Sequence, residues 1–260
     1  MRKLLLTTVG VTALAVSANA TDFTLSGTGK VQLDDDGNTS VSITTSVGVS
    51  KTFDNGMVAS YTHNLNSAAS EMKITSDAIS VTFGDIDQNA QTPGLNGDAA
   101  ASDIASEGVA EEAGTGPISL GATLAGVAIG AATNNEGDTE FGASMTTDMA
   151  GMAVKIGGDV YNDANNSNAD ATAMGIQATL GSLVMVASSI SVSDNNATTD
   201  VMSYSAKYTM GNLVLGFQGN DAEASSYSAT YTIVPGMQFE LGSKDNGTVS
   251  TSSGELQLTF

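Results

Sequence analysis

The chain has 260 residues, 8 Lys+Arg against 28 Asp+Glu, and a formal net charge of −20. So few cations leave no basic footprint for nucleic acid, and the absence of Cys excludes disulfides, thiol nucleophiles, iron–sulfur clusters and Cys-ligated zinc. With 29 Gly and abundant Ser, Thr, Asn and Asp, the composition suits many short strands joined by turns better than helices.

Residues 1–20 read as a secretory signal peptide. Arg2 and Lys3 precede an apolar run from Leu4 to Val16, and Ala18-Asn19-Ala20 gives a small-x-small cleavage site. Cleavage there leaves one domain, residues 21–260. It keeps Lys30, Lys51, Lys73, Lys155, Lys207 and Lys244 but no Arg, and with all 28 acids its net charge is −22. No later stretch is apolar for the 18 residues that a membrane helix needs. The remaining way into a membrane is a β-barrel.

Strand-like alternation runs from one end of this domain to the other. Phe23, Leu25, Val31 and Leu33 fall on one face, and Thr24, Ser26, Thr28, Lys30 and Gln32 on the other. Val41, Ile43, Val47 and Val49 then alternate with Ser42, Thr44, Ser46 and Ser50. Ile79, Val81 and Phe83 oppose Ser80 and Thr82. Near the end, Met237, Phe239 and Leu241 oppose Gln238 and Glu240, and Leu256, Leu258 and Phe260 oppose Gln257 and Thr259.

The connections have a rhythm of their own. Short turns, such as Asp54-Asn55-Gly56, Gly181-Ser182 and Pro235-Gly236, alternate with longer polar stretches read as loops, the last of them Ser243 to Ser253. Seven short and eight long connections require sixteen strands, or fourteen if one weak pair near Glu71–Thr75 or Ile118–Leu124 is loop. The predicted fold is therefore all-β: an antiparallel up-and-down transmembrane barrel with tight turns at one end and longer loops at the other. Closure pairs every strand edge, which lipid cannot satisfy. Sixteen strands enclose more space than side chains fill, so the Ser, Thr and Gln face is expected to line water. Lys30, Lys155 and Lys207 fall on that lumen-facing side as basic groups.

The longest connection runs from Asp85 to Gly116 and contains seven acids and no Lys or Arg. A loop of that length tends to be functional. Elsewhere chemistry is sparse. His63 is the only His, so no His-rich metal site exists, and no nucleophile-elbow motif marks catalysis. The acidic stretch Asp34-Asp35-Asp36-Gly37-Asn38 lacks the spacing and closing Glu of an EF-hand and reads as a solvated turn. No cofactor, metal or enzymatic activity is expected.

The signal peptide, Phe23 to Lys30 (FTLSGTGK), Ile79 to Asp87 (ISVTFGDID), the place of the long loop and the terminal Phe260 together resemble the Gram-negative general porins, especially the alphaproteobacterial outer-membrane type. The resemblance spans essentially the whole chain. It implies a homotrimer in the cell outer membrane, in contact with lipid and lipopolysaccharide, and an inward-folding loop after the fifth strand. It also implies that Phe260 is a C-terminal signal for the barrel-assembly machinery. One departure stands out: such porins often set an Arg-rich wall against an acidic loop, and here only a few Lys are available.

If the loop enters the pore, Asp98, Asp103, Glu107, Glu111 and Glu112 are the candidates for its constriction, with Asp85 and Asp87 anchoring the loop base. Fixed negative charge in a narrow aqueous passage concentrates cations and repels anions. The expected function is passive diffusion of small hydrophilic solutes and ions with weak cation selectivity. The rivals are a non-conducting structural barrel and a secreted, acidic, β-rich surface protein.

Overall fold

A computed structural model describes residues 21–67, 70–86, 116–135, 137–164, 170–193 and 198–260. The first five strands are β1 (Thr21–Asp34), β2 (Thr39–Thr52), β3 (Val58–Asn64), β4 (Ser70–Thr75) and β5 (Ile79–Ile86). Next come β6 (Gly116–Leu124), β7 (Val127–Thr133), β8 (Thr139–Met149), β9 (Met152–Asn162), β10 (Asp170–Leu180) and β11 (Leu183–Ser193). The last five are β12 (Thr198–Met210), β13 (Leu213–Asn220), β14 (Ser225–Val234), β15 (Met237–Asp245) and β16 (Ser250–Thr259). Each strand pairs antiparallel with its sequence neighbours, and β1 pairs with β16, so the sheet is a closed barrel of sixteen strands. The two weak pairs are strands, and the count of fourteen is excluded.

The alternation of connections holds. Five connections at one end have only two residues: Ala125-Gly126, Ala150-Gly151, Gly181-Ser182, Gly211-Asn212 and Pro235-Gly236. Ala125 and Gly126 have φ of 52° and 83°, both positive. Two positive values in succession give the turn sense that matches the strands' right-handed twist. At the other end the loops are shorter than expected, because strands run further into them. The stretch Ser243–Ser253 was expected to be loop, yet β15 continues to Asp245 and β16 begins at Ser250.

The barrel is polar within and apolar without. Exposed side chains include Val41 (67%), Met174 (66%), Phe141 (57%) and Tyr227 (59%), spread around the circumference. Buried groups on the alternate positions include Ser226 (1%), Asp159 (3%), Ser205, Gln218 and Glu255. A water-soluble domain hides its large apolar side chains, and this one displays them.

The seam between β1 and β16 has its own packing. Gly27 N donates to the Phe260 carbonyl at 2.9 Å, and Phe260 N donates back to the Gly27 carbonyl at 3.0 Å. A Cβ on Gly27 would lie 2.7 Å from the Phe260 ring and 2.8 Å from the Thr44 carbonyl. The ring thus covers bare glycine backbone, and only Gly fits there.

Candidate functional site

Pairing register fixes which residues share the inner wall, since directly opposed residues point to one face. Lys30 lies opposite Gln257 and Ser42. Lys155 lies opposite Gln177 and Thr146, and Lys207 opposite Val184 and Gly216. All three share the sheet face that carries Ser42, Gln257, Thr146 and Gln177. The structure adds two more. Lys73 lies opposite Ser60 and Thr82, and Lys244 opposite Ser226 and Thr251. Lys51 pairs with Ala59 on the outer face, its Nζ 5.6 Å from the Phe53 ring centroid.

Carboxylates share the wall with these lysines. Glu240 and Glu255 are directly opposed on β15 and β16. Like charges so placed repel, and the Lys30 Nζ, 3.0 Å from Glu255 Oε1, offsets that repulsion. Beside them Gln238 Nε2 donates to Gln257 Oε1 at 3.1 Å. Glu71 faces inward from β4 opposite Thr62, and Glu140 and Asp159 from β8 and β9 opposite Tyr161 and Gly142. Lys30, Lys73, Lys155, Lys207 and Lys244 thus share the inner face with Glu71, Glu140, Asp159, Glu240 and Glu255, and with Asp22, Asp34 and Asp148 nearer the strand ends, so the wall is net acidic.

The inner wall is not polar throughout, as sequence had suggested. On β9–β11 it carries Tyr161, Ala171, Ala173, Ile190 and Val192, which pack as a buried apolar cluster. Tyr161 is 1% exposed and Ile190 3%. Glu140 is buried beside this cluster with neither carboxylate oxygen hydrogen-bonded. On β1 and β2 the inner wall is different: Thr24, Ser26, Ser42 and Thr44 are exposed.

At the long-loop end of β8 and β9, Asp138 joins two loops. Its carboxylate accepts from Asn134 Nδ2 at 2.6 Å and from Ala164 N at 3.0 Å. The Asn134 bond, ahead of the Ala164 one, holds the Asp138 carboxyl below the usual aspartate range, against a smaller opposing effect of burial.

His63 faces outward from β3, opposite Val47, with Nδ1 2.8 Å from Ser70 Oγ. Tyr61 donates its hydroxyl to the same Ser70 Oγ at 3.2 Å.

Of the loop candidates, Asp85 belongs to β5. Asp87, Asp98, Asp103, Glu107, Glu111 and Glu112 lie outside the described residues, as do residues 1–20.

No protein-family model and no curated protein matches the chain by sequence. Solved structures do match by shape. A refined porin structure superposes with a TM-score of 0.68 at 14% identity, covering 92% of this chain and 100% of that one. Two engineered mutants of the Rhodopseudomonas blastica porin give TM-scores of 0.64 and 0.63 at 12% and 14% identity, with the same coverage. The fold is that of these porin barrels: sixteen antiparallel strands, closed.

Proposed function

We propose that residues 21–260, freed of residues 1–20 as a signal peptide, form an outer-membrane pore through which small hydrophilic solutes and ions diffuse passively, with weak cation selectivity. The observation that carries this reading is the inverted polarity of a closed sheet. Large apolar side chains are exposed on the outside, as lipid contact requires, and polar or charged ones line the inside. The similarity of fold to porins supports the same reading.

Selectivity follows from a balance of charge. The wall's five inner lysines are outnumbered by the inner carboxylates, so the wall is itself acidic. The acids between β5 and β6 have no such partners in sequence, since that stretch contains no Lys or Arg. We place that stretch inside the barrel. What supports this is the buried inner wall of β8–β11: apolar groups such as Ile190 and Tyr161 are hidden on a face that an empty lumen would leave wet. Asp98, Asp103, Glu107, Glu111 and Glu112 then define the constriction, and Asp85 and Asp87 its base. The proposal extends to a homotrimer, to contact with outer-membrane lipid and lipopolysaccharide, and to Phe260 as the feature read by the barrel-assembly machinery.

Planar-bilayer recording tests it. Purified protein is expected to give stepwise conductance and, under a salt gradient, a reversal potential of the sign for cation preference. Absence of conductance would leave a structural barrel as the better reading, and a clear anion preference would refute the selectivity.

A further inference from the structure

Five acids are buried among the described residues, and four of them lie together. Asp138, Glu140, Asp159 and Asp163 are each no more than 5% exposed, and all belong to the long-loop end of β8 and β9. Asp138 has a structural task, since Asn134 and the Ala164 amide bind its carboxylate. Glu140 has none that the fold explains.

Glu140 and Asp159 are diagonal neighbours on the inner face. Glu140 is opposite Tyr161, and Asp159, two residues before Tyr161, is opposite Gly142. Backbones in such diagonal pairs are about 7–8 Å apart, close enough for two carboxylates to reach one ion. Their charges act on each other. On their other sides Glu140 is opposite Ala132, and Asp159 opposite Ala173. None of these neighbours is basic. Lys155, on the same face of β9, is four residues from Asp159, roughly 13 Å along the strand.

Neither oxygen of the Glu140 carboxylate has a hydrogen-bond partner. A buried carboxylate is costly unless it is paired, and a second carboxylate beside it adds repulsion. The wall between them is made of small residues: Gly142, with Gly130 opposite it, leaves the position next to both acids without a side chain.

We infer that Glu140 and Asp159 together hold a hard divalent cation against the inner wall. The donors are carboxylate oxygens, without Cys or His, which suits Ca²⁺ or Mg²⁺ better than softer metals. Two charges of −1 match one of +2. No three such side chains converge among the described residues, so the ion keeps water for the rest of its coordination, as these cations do. Bound there, it ties β8 to β9 and relieves the orphaned Glu140.

The test uses the full mature chain, purified in detergent and stripped with a chelator. Heat unfolding is followed by gel mobility with added CaCl₂ or MgCl₂, against KCl of equal ionic strength, and radioactive Ca²⁺ in equilibrium dialysis counts bound ions. The wild type is expected to hold one Ca²⁺ per chain. At a hundred times the dissociation constant, its transition should rise by about 5–10 °C. Glu140→Gln and Asp159→Asn, which keep shape and remove charge, should each lose the tight ion and the thermal response, and should unfold no earlier than the stripped wild type. Asp148→Asn, an inner acid at the other end of β8, should keep both. A wild type that binds no Ca²⁺ or Mg²⁺, or that KCl stabilises equally, overturns the site. So does a response that survives in both Glu140→Gln and Asp159→Asn. Binding is read in detergent without current, so a barrel that binds the ion but does not conduct keeps this site and loses the pore.

Discussion

The inner wall of the barrel has two unlike arcs. On β1 and β2 it is a plain of exposed Ser and Thr, with Lys30 reaching across to Glu255. On β9–β11 it is small, apolar and buried around Tyr161, Ala173 and Ile190. One sheet thus does two jobs with the same strand geometry. The difference teaches that a residue's direction, inward or outward, does not settle its environment. An inward side chain is wet on one arc and packed on the other, so substitutions of one type should act on permeation in the first and on structure in the second.

The sharpest way to break the contrast is to place a charge in the packed arc. Ile190→Asp should destabilise the barrel by several kcal/mol, since an unpaired carboxylate would be buried among apolar groups. Thermal unfolding followed by gel mobility reads this, and an unchanged transition would show that the arc is wet after all. Ile190→Ala, which only removes volume, should cost about 2–5 kcal/mol and raise conductance if the stretch between β5 and β6 rests there.

The seam offers an intermediate effect. Gly27→Val forces the Phe260 ring and the Thr44 carbonyl apart and should cost about 1–3 kcal/mol; Gly254→Ala, on the same face toward the other end of the seam, where an added Cβ makes only ordinary contacts, should be nearly silent. Folding yields of the two variants measured side by side decide whether the difference in room around the two glycines is real.

In the open arc the effects should be on transport. Lys30→Ala breaks a pair whose Glu255 carboxylate is buried while Lys30 is exposed, and should cost about 1–2 kcal/mol, more than a fully exposed pair. It also leaves Glu240 and Glu255 opposed without their cation, so the reversal potential should move toward stronger cation preference. A shift toward anions would contradict the acidic wall.

The smallest effect concerns pH. Asp138 has its pKa depressed chiefly by Asn134, so its contribution is complete above the ordinary aspartate value of about 3.9 and is lost as pH falls through the lower folded value. Asp138→Asn should flatten the acid side of the stability profile slightly, as read by unfolding between pH 5 and about 2.

Much of this was legible in the sequence, because alternation is a direct imprint of a sheet with two unlike faces. Ser42, Thr44, Gln238 and Gln257 share one face of the sheet, as alternation predicts. Lys244 was missed because Ser243–Ser253 looked like loop. Its Ser, Thr and Asn residues are turn formers by propensity, and sheet pairing with β14 and β16 overrides that preference. Lys73 was hidden by the shortness of β4. The packed arc was illegible for another reason. On β11, Val184, Val186, Ile190 and Val192 alternate with Leu183, Met185 and Ala187, so both faces are largely apolar and hydrophobicity does not say which is inside. Tyr161 is equally silent, since a tyrosine suits a rim, a wall or a packed cluster.

The β1–β16 pairing has a consequence for how the molecule comes into being. Asp35 and Ser252, which touch at that junction, are 217 residues apart in the chain. Thirty or so residues of adjacent hairpin can zip locally, but the ring itself is completed by the most remote contact of all, after the entropy of the whole intervening polymer has been surrendered. Until that moment both outermost strands offer bare edges to any neighbour, so the interval between export and closure is the window in which this polypeptide is most exposed to aggregation and proteolysis.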